Sequence, residues 1–201
     1  MSFGFQKKSS GSFNPFIKYD AKAGRWGAKR GDDIVDVTQG FNAVFDIGGC
    51  QLGWLIFANG QGPQEVLQHN SMGFPPQPAG DKWQQGFKCL VALPPSLGGG
   101  IYDWSSNASV TTEAFDEMHS AYMEGAAQHP GKLPVFAMTG VKAIKGAKAT
   151  NYKPLMELKA WVDRPASMAA QATGDTLPPS ALPPVDKAPS PTAPAFSNDF
   201  G

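Results

Sequence analysis

One segment near the start of the sequence combines basic and aromatic side chains at close spacing. That combination suits single-stranded nucleic acid, because cations attract phosphates and exposed aromatic rings stack on bases. The basic residues Lys18, Lys22, Arg25, Lys29 and Arg30 surround Tyr19 and Trp26. The segment therefore predicts a nucleic-acid contact that uses these cations and Trp26. The alternative interpretation is a solvated, partly disordered arm.

A second segment offers the same chemistry near residue 150. Its basic residues are Lys145, Lys148 and Lys153, and its aromatic residues are Tyr152 and Trp161. In the strand predicted over residues 151–165, Trp161 shares a face with Glu157 and Lys159, while the apolar residues lie on the other face. A tryptophan on a polar face either packs under a following segment or binds a ligand.

The other reactive residue types lack the spacing that catalysis or metal binding needs. His69, His119 and His129 are scattered, and none is paired with a cysteine or a second histidine at metal-ligand spacing. No phosphate-binding loop, nucleophile elbow or dinucleotide fingerprint is present. The sequence therefore predicts no enzyme, metal or cofactor. An enzyme would need a pocket shared by Asp103, Glu117 and His119.

Composition limits the class of protein. The 201 residues include 23 glycines and 18 prolines, which favours turns and β structure, and 17 basic residues balance 17 acidic ones. Cys50 and Cys89 favour two reduced core thiols, with a single disulfide as the alternative. The N-terminus has no apolar signal-peptide region, and no apolar run is long enough to span a membrane. We therefore expect a cytoplasmic protein without membrane contact.

The periodicity of the sequence predicts mostly strands and one helix. The helix is expected over Thr111 to Gly131, with Phe115, Met118, Tyr122 and Ala126 on one face. Strands are expected from Ile34 onward, with a hairpin turn at Gly48 and Gly49 and a long loop from Gln61 to Asp81. A half-buried strand follows around Cys89, and two strands follow the helix, over residues 133–146 and 151–165.

These elements divide the chain into three parts. Residues 1–33 are predicted as a basic N-terminal arm and residues 34–164 as one mainly β domain. Residues 165–201 are rich in proline and poor in patterned apolar residues, so we predict a disordered tail.

The element order, with one helix before the last two strands, resembles an OB-fold, a five-stranded Greek-key barrel. Together with a tail that ends in Asp199 and Phe200, it resembles the phage-encoded single-stranded DNA-binding proteins. The resemblance implies non-specific binding of single-stranded DNA during replication, recombination or repair, with replication proteins contacting the tail. It also implies that DNA crosses Lys88 and is held by the Gly48–Gly49 turn and the loop from Lys145 to Lys153. A homodimer is compatible with the sequence, and the alternative function is a phage structural or protein-interaction module.

Overall fold

The structure, a computed structural model, describes residues 15–57, 63–146 and 149–168. Ten strands in these residues join in one mixed sheet, and one long helix, α1 (Ser109–Ala126), separates the last two strands from the rest. The strands are β1 (Phe16–Asp20), β2 (Arg25–Arg30), β3 (Asp33–Asp36), β4 (Asn42–Phe45), β5 (Gln51–Ile56), β6 (Gln64–His69), β7 (Gln84–Ala92), β8 (Ile101–Ser106), β9 (Lys132–Lys145) and β10 (Thr150–Asp163).

The sheet follows the order β10-β9-β4-β7-β8-β1-β2-β3, and β5 and β6 extend it beside the first half of β7. The pair β1 and β8 is parallel, whereas the other pairs are antiparallel. The backbone N–H of Tyr152 on β10 donates to the carbonyl oxygen of Ala21, just after β1, at 2.7 Å. This bond connects β10 to the β1–β2 turn, so the strands from β10 to β1 surround a common core.

That core is aromatic. Trp26 stacks on Phe41 with ring centroids 4.3 Å apart, and Phe87 stacks on Phe115 of α1 at 3.8 Å. Trp104 meets both groups edge to face, at 5.0 Å from Trp26 and 4.7 Å from Phe87. These rings are buried, and they come from β2, β7, β8, α1 and the residue before β4. Burial of these rings stabilises the packing of the strands and α1 around one core.

The predicted hairpin at Gly48 and Gly49 is wrong. β4 and β5 do not pair with each other; both pair with the same edge of β7. Phe45 lies opposite Val91, and Gln51 lies opposite Lys88. The register against β7 therefore shifts by three residues between these two pairs. Residues 46–50, which include a turn at Gly48 and Gly49, therefore form an irregular insertion between two strands that follow the same edge of β7; we call this insertion the bulge.

The predicted N-terminal arm is also wrong for residues 16–33. β1 and β2 are interior strands of the sheet, and Ile17, Trp26 and Ala28 belong to the core. Lys18 and Asp20 alternate with buried Ile17 and Tyr19, so the charged residues are the outer face of a strand. The boundary at residue 33 falls where β3 begins rather than between two folding units.

The helix prediction is confirmed, although α1 begins two residues earlier and ends five residues earlier than expected. Phe115 and Met118 are buried against the sheet, and Tyr122 and Ala126 are half-buried farther along the same face. The two strands predicted after the helix are also present, as β9 and β10.

The mainly β class is confirmed, but the count of five strands is too low. The expected loop from Gln61 to Asp81 contains β6, and the predicted arm contains β1 and β2. Cys50 and Cys89 are both buried and free, in agreement with two reduced core thiols. No helix in the described parts of the chain is long and apolar enough to cross a membrane.

The chain folds back over the outside of the sheet after β10. Met168 is fully buried with Ala92, Ile101 and Leu133 in a second, smaller apolar cluster. Arg164 anchors this segment by donating two hydrogen bonds to the carboxylate of Asp46, at 2.6 and 2.8 Å. The first residues of the predicted tail, 165–168, therefore belong to the packed structure, and residues 169–201 lie outside the described part.

Candidate nucleic-acid interface

The two basic segments of the sequence are brought together at the turn between β1 and β2. The positive φ of Gly24, +67°, is a conformation that favours glycine. A Cβ at this position would lie 3.3 Å from the Cβ of Tyr152 and 3.5 Å from a methyl carbon of Val141. The turn therefore packs closely against the β9–β10 hairpin, and the Ala21–Tyr152 hydrogen bond fixes the contact.

Side chains from both hairpins surround this contact. Lys18, Lys22 and Arg25 are exposed on or beside the β1–β2 hairpin, and Lys29 is half-buried on β2. On the other hairpin, Lys145 is exposed and Tyr152 is half-buried, and the register puts the two on the same face. Together with Phe16, these residues form what we call the basic face: Phe16, Lys18, Lys22, Arg25, Lys29, Lys145 and Tyr152.

Phe16 was missed by the sequence analysis. Its side chain is 37% exposed and lies on the same outer face of β1 as Lys18. The alternation of Phe16, Lys18 and Asp20 with buried Ile17 and Tyr19 is the signal that could have found it. An exposed phenylalanine beside lysines on a strand can stack on a base.

Two acids near the basic face, Asp20 and Asp36, are engaged locally. Asp20 accepts hydrogen bonds from the backbone N–H groups of Lys22 and Ala23, at 2.9 and 3.2 Å, and so shapes the turn. Hydrogen bonds from Thr38 and the nearby charge of Arg25 lower the pKa of Asp36. Arg25 and Asp36 form an exposed pair at 3.5 Å, which contributes little to stability.

Three residues predicted to bind nucleic acid lie elsewhere. Trp26 is fully buried against Phe41, so its ring is not available to a base. Lys153 is buried and bonded to two carboxylates of α1, Glu113 at 2.8 Å and Glu117 at 2.7 Å. Trp161 packs against the end of α1, with its ring 4.8 Å from that of His129 and 5.7 Å from that of Tyr122.

Two further cations have structural partners. Lys88 lies on the outer face of β7, 3.0 Å from a carboxylate oxygen of Glu65 and 3.7 Å from one of Asp103. Because Asp103 is in register with Phe16, Lys88 borders the basic face. Arg30 donates to the carbonyl oxygen of Leu97 and packs on that loop. The remaining predicted positions, Lys148, Asp199 and Phe200, lie outside the described residues.

The three residues that an enzyme would need in one pocket do not share one. His119 lines a cavity of about 300 Å³ with Cys50, Phe74 and Asp116, but neither Asp103 nor Glu117 contributes to that cavity. Burial raises the pKa of the Cys50 thiol to about 11, which keeps it protonated and unreactive at neutral pH. Across the part of the chain that the structure describes, no three His, Cys, Asp or Glu residues are grouped as metal ligands.

Comparisons with known proteins identify no relative of this chain. No protein-family model matches it, and neither a curated protein nor a solved structure does.

Proposed function

We propose that the chain binds single-stranded DNA through the basic face, without strong sequence preference. The observation that supports this most directly is the packing of Gly24 against Tyr152, since it unites the two basic, aromatic segments into one surface. Such a protein would protect single strands during DNA replication, recombination or repair.

The charges of the basic face suit a phosphate backbone. Its five cations lie on two adjoining hairpins, four on the β1–β2 hairpin and Lys145 on the other. Asp20 and Asp36 already accept hydrogen bonds from the turns that they stabilise, whereas Asp32 and Asp33 are exposed at the β2–β3 turn. Phosphates would therefore meet the cations away from that turn with less opposition, and binding should depend steeply on salt.

The basic face also provides aromatic surface for bases. Phe16 is the exposed ring, and half-buried Tyr152 stands at the centre of the hairpin contact. Stacking of this kind tolerates any base, because every base presents a π-face. Non-specific binding follows from rings and cations without directed hydrogen bonds to base edges.

The strand arrangement supports an OB-like interpretation. In that fold the helix lies between the third and fourth strands. Here α1 precedes β9, β9 pairs with β4, and β4 and β5 both pair with β7. The β9–β10 hairpin then corresponds to the loop after the fourth strand, which binds oligonucleotides in OB-folds.

The sequence resemblance extends this proposal to the biological setting. A phage-encoded single-stranded DNA-binding protein would use the end of its tail, Asp199 and Phe200, to contact replication proteins such as a polymerase or helicase. An acid beside an aromatic ring suits a basic, partly apolar pocket on such a partner.

Titration of a fluorescein-labelled oligo-dT with the purified full chain tests the proposal by anisotropy. The expected result is saturable binding at low salt that weakens linearly in a plot of log K against log salt. A flat titration at low salt would overturn the proposal. Double-stranded DNA of the same length serves as the comparison and should bind more weakly, since its bases are not free to stack.

A further inference from the structure

The strand β6 has one unpaired edge. It pairs with β5 along its full length, from Gln64 opposite Ile56 to His69 opposite Gln51. Within the described residues no strand pairs with its other side. An open edge six residues long presents backbone donors and acceptors to any strand that can reach it.

Exposed apolar side chains are concentrated around this edge. Val66 on β6 is 39% exposed, and Phe57 and Met72, which lie just outside the β5–β6 pair in the chain, are 50% and 70% exposed. These residues lie on β6 or close to it in the chain, whereas β6 has a single charged carboxylate, Glu65. Apolar surface next to an open backbone edge is typical of a protein contact.

The other two edge strands are protected. Among the described strands β3 pairs with β2 alone, but Asp32, Asp33 and Asp36 surround its two apolar residues. Two copies of β3 paired about a two-fold axis at Ile34 would put Asp32 opposite Asp36 of the other copy, and each strand would add three carboxylates to a short interface, which is unfavourable. β10 packs against α1 and donates the N–H of Tyr152 to Ala21, so part of its outer edge is already used.

We infer that β6 pairs antiparallel with β6 of a second copy of this chain, joining the two sheets about a two-fold axis. A two-fold axis centred on Val66 puts Val66 opposite its own copy and Glu65 opposite Leu67. An axis centred on Leu67 puts Glu65 opposite His69. Neither register opposes two like charges, so the strand is self-complementary in the way that an isologous interface requires.

A second copy fits this edge better than an unrelated charged partner does. β6 carries one acid, and that carboxylate is already paired with Lys88 at 3.0 Å. The edge therefore offers no charge pattern that would select a strongly basic or acidic peptide. Its apolar residues and free backbone groups match those of an identical strand.

Light scattering after size exclusion tests this inference without DNA, so its outcome is independent of the proposed function. The full chain should have twice the 21.3 kDa mass of one copy. Val66→Lys should convert it to the single-copy mass, because a lysine would face its own copy. The matched control is Ile34→Lys on the β3 edge, which should leave the mass doubled. A single-copy mass for the unmodified chain throughout the micromolar range would overturn the inference.

A cross-linking experiment guards against a Val66→Lys variant that fails to fold. Either Val66→Cys or Leu67→Cys should form a disulfide-linked dimer under mild oxidation, since directly opposed strand residues are close enough for a disulfide. The unmodified chain, whose two cysteines are buried, is the control. The inference would be overturned if the Val66→Lys variant remained dimeric and neither cysteine variant formed a cross-link. The dimer interface would then lie elsewhere on the chain.

Discussion

Tyr152 donates its backbone N–H to the carbonyl oxygen of Ala21 at 2.7 Å, and this bond joins two parts of the chain that are far apart in sequence. Gly24 packs against the same tyrosine. The contact unites the β1–β2 and β9–β10 hairpins, and the basic face exists because of it. Perturbing this contact should therefore weaken DNA binding as well as the fold.

Gly24→Ala tests the contact, with Gly40→Ala as a matched control. Both glycines have φ of +67°, so both alanines are strained by about 1–2 kcal/mol. Only the alanine at position 24 meets Tyr152, whereas nothing lies within 4 Å of a Cβ at position 40. Urea unfolding should show similar or larger destabilisation for Gly24→Ala, and anisotropy should show weaker binding to oligo-dT for that variant alone. Equal affinities of the two variants would separate DNA binding from the hairpin contact.

Phe16→Ala tests stacking on the basic face. Removal of one stacked ring should weaken oligo-dT binding by about 1 kcal/mol or more, which is about fivefold in Kd. Phe74→Ala is the control, since Phe74 is 45% exposed but lies outside the basic face. An affinity for Phe16→Ala that matches the control would exclude Phe16 as a stacking platform.

Arg164 is predicted to hold the segment after β10 against the bulge at residues 46–50. Arg164→Met leaves the buried carboxylate of Asp46 without its bidentate partner, which should cost about 2–4 kcal/mol of unfolding free energy. The double variant Asp46→Asn with Arg164→Met should recover part of that loss, because no unpaired charge remains. Urea unfolding of the four chains in a double-mutant cycle measures the coupling, and strict additivity would contradict the assignment.

Lys153 is expected to support the β9–β10 hairpin rather than to bind DNA. Lys153→Met retains the packing of the aliphatic stem but removes the bonds to Glu113 and Glu117. At neutral pH the variant should melt a few degrees lower, because both partner carboxylates are largely exposed and each pair is weak. An effect on DNA affinity as large as that of the exposed lysines would contradict this role.

The pH dependence of that destabilisation follows from the two pKa shifts. Hydrogen bonding to Lys153 lowers the pKa of Glu113 from its usual value of 4.5, so its contribution to stability disappears as pH falls below that value. Hydrogen bonding to Glu113 and Glu117 raises the pKa of Lys153 above 10.5, so its contribution disappears as pH rises through the raised value. The difference in melting temperature between wild type and Lys153→Met should thus be largest between these limits and shrink on either side.

Strong local periodicity made part of the fold predictable. The stripe of Phe115 and Met118 identified α1, and long alternating runs identified β9 and β10. β1 and β2 were interpreted as an arm because the segment that contains them is strongly basic and punctuated by glycine, which obscures the buried residues between the charges. The bulge at residues 46–50 is invisible in sequence, since its cause is the shared edge of β7, a strand much later in the chain.

The sequence predicted which segments contribute to the candidate site but not which of their side chains are exposed there. The sequence located both basic segments, but it could not distinguish exposed Lys145 from buried Lys153, because the partners of Lys153 lie on α1. Trp26 was misplaced for the same reason: its neighbours in sequence are charged, whereas its neighbour in space is Phe41. Burial depends on packing between distant segments, which local residue types do not encode.

Charge reversal on the basic face tests the central claim most directly. Lys22→Glu with Lys145→Glu changes one exposed lysine on each hairpin, and Lys82→Glu with Lys132→Glu makes the same change in net charge at exposed lysines elsewhere. Anisotropy titrations with oligo-dT over a range of salt should show much weaker binding for the first pair. Its salt slope should fall by about 0.7 for each DNA phosphate that the variant no longer neutralises. Equal affinities and slopes for the two double variants would contradict DNA binding at the basic face.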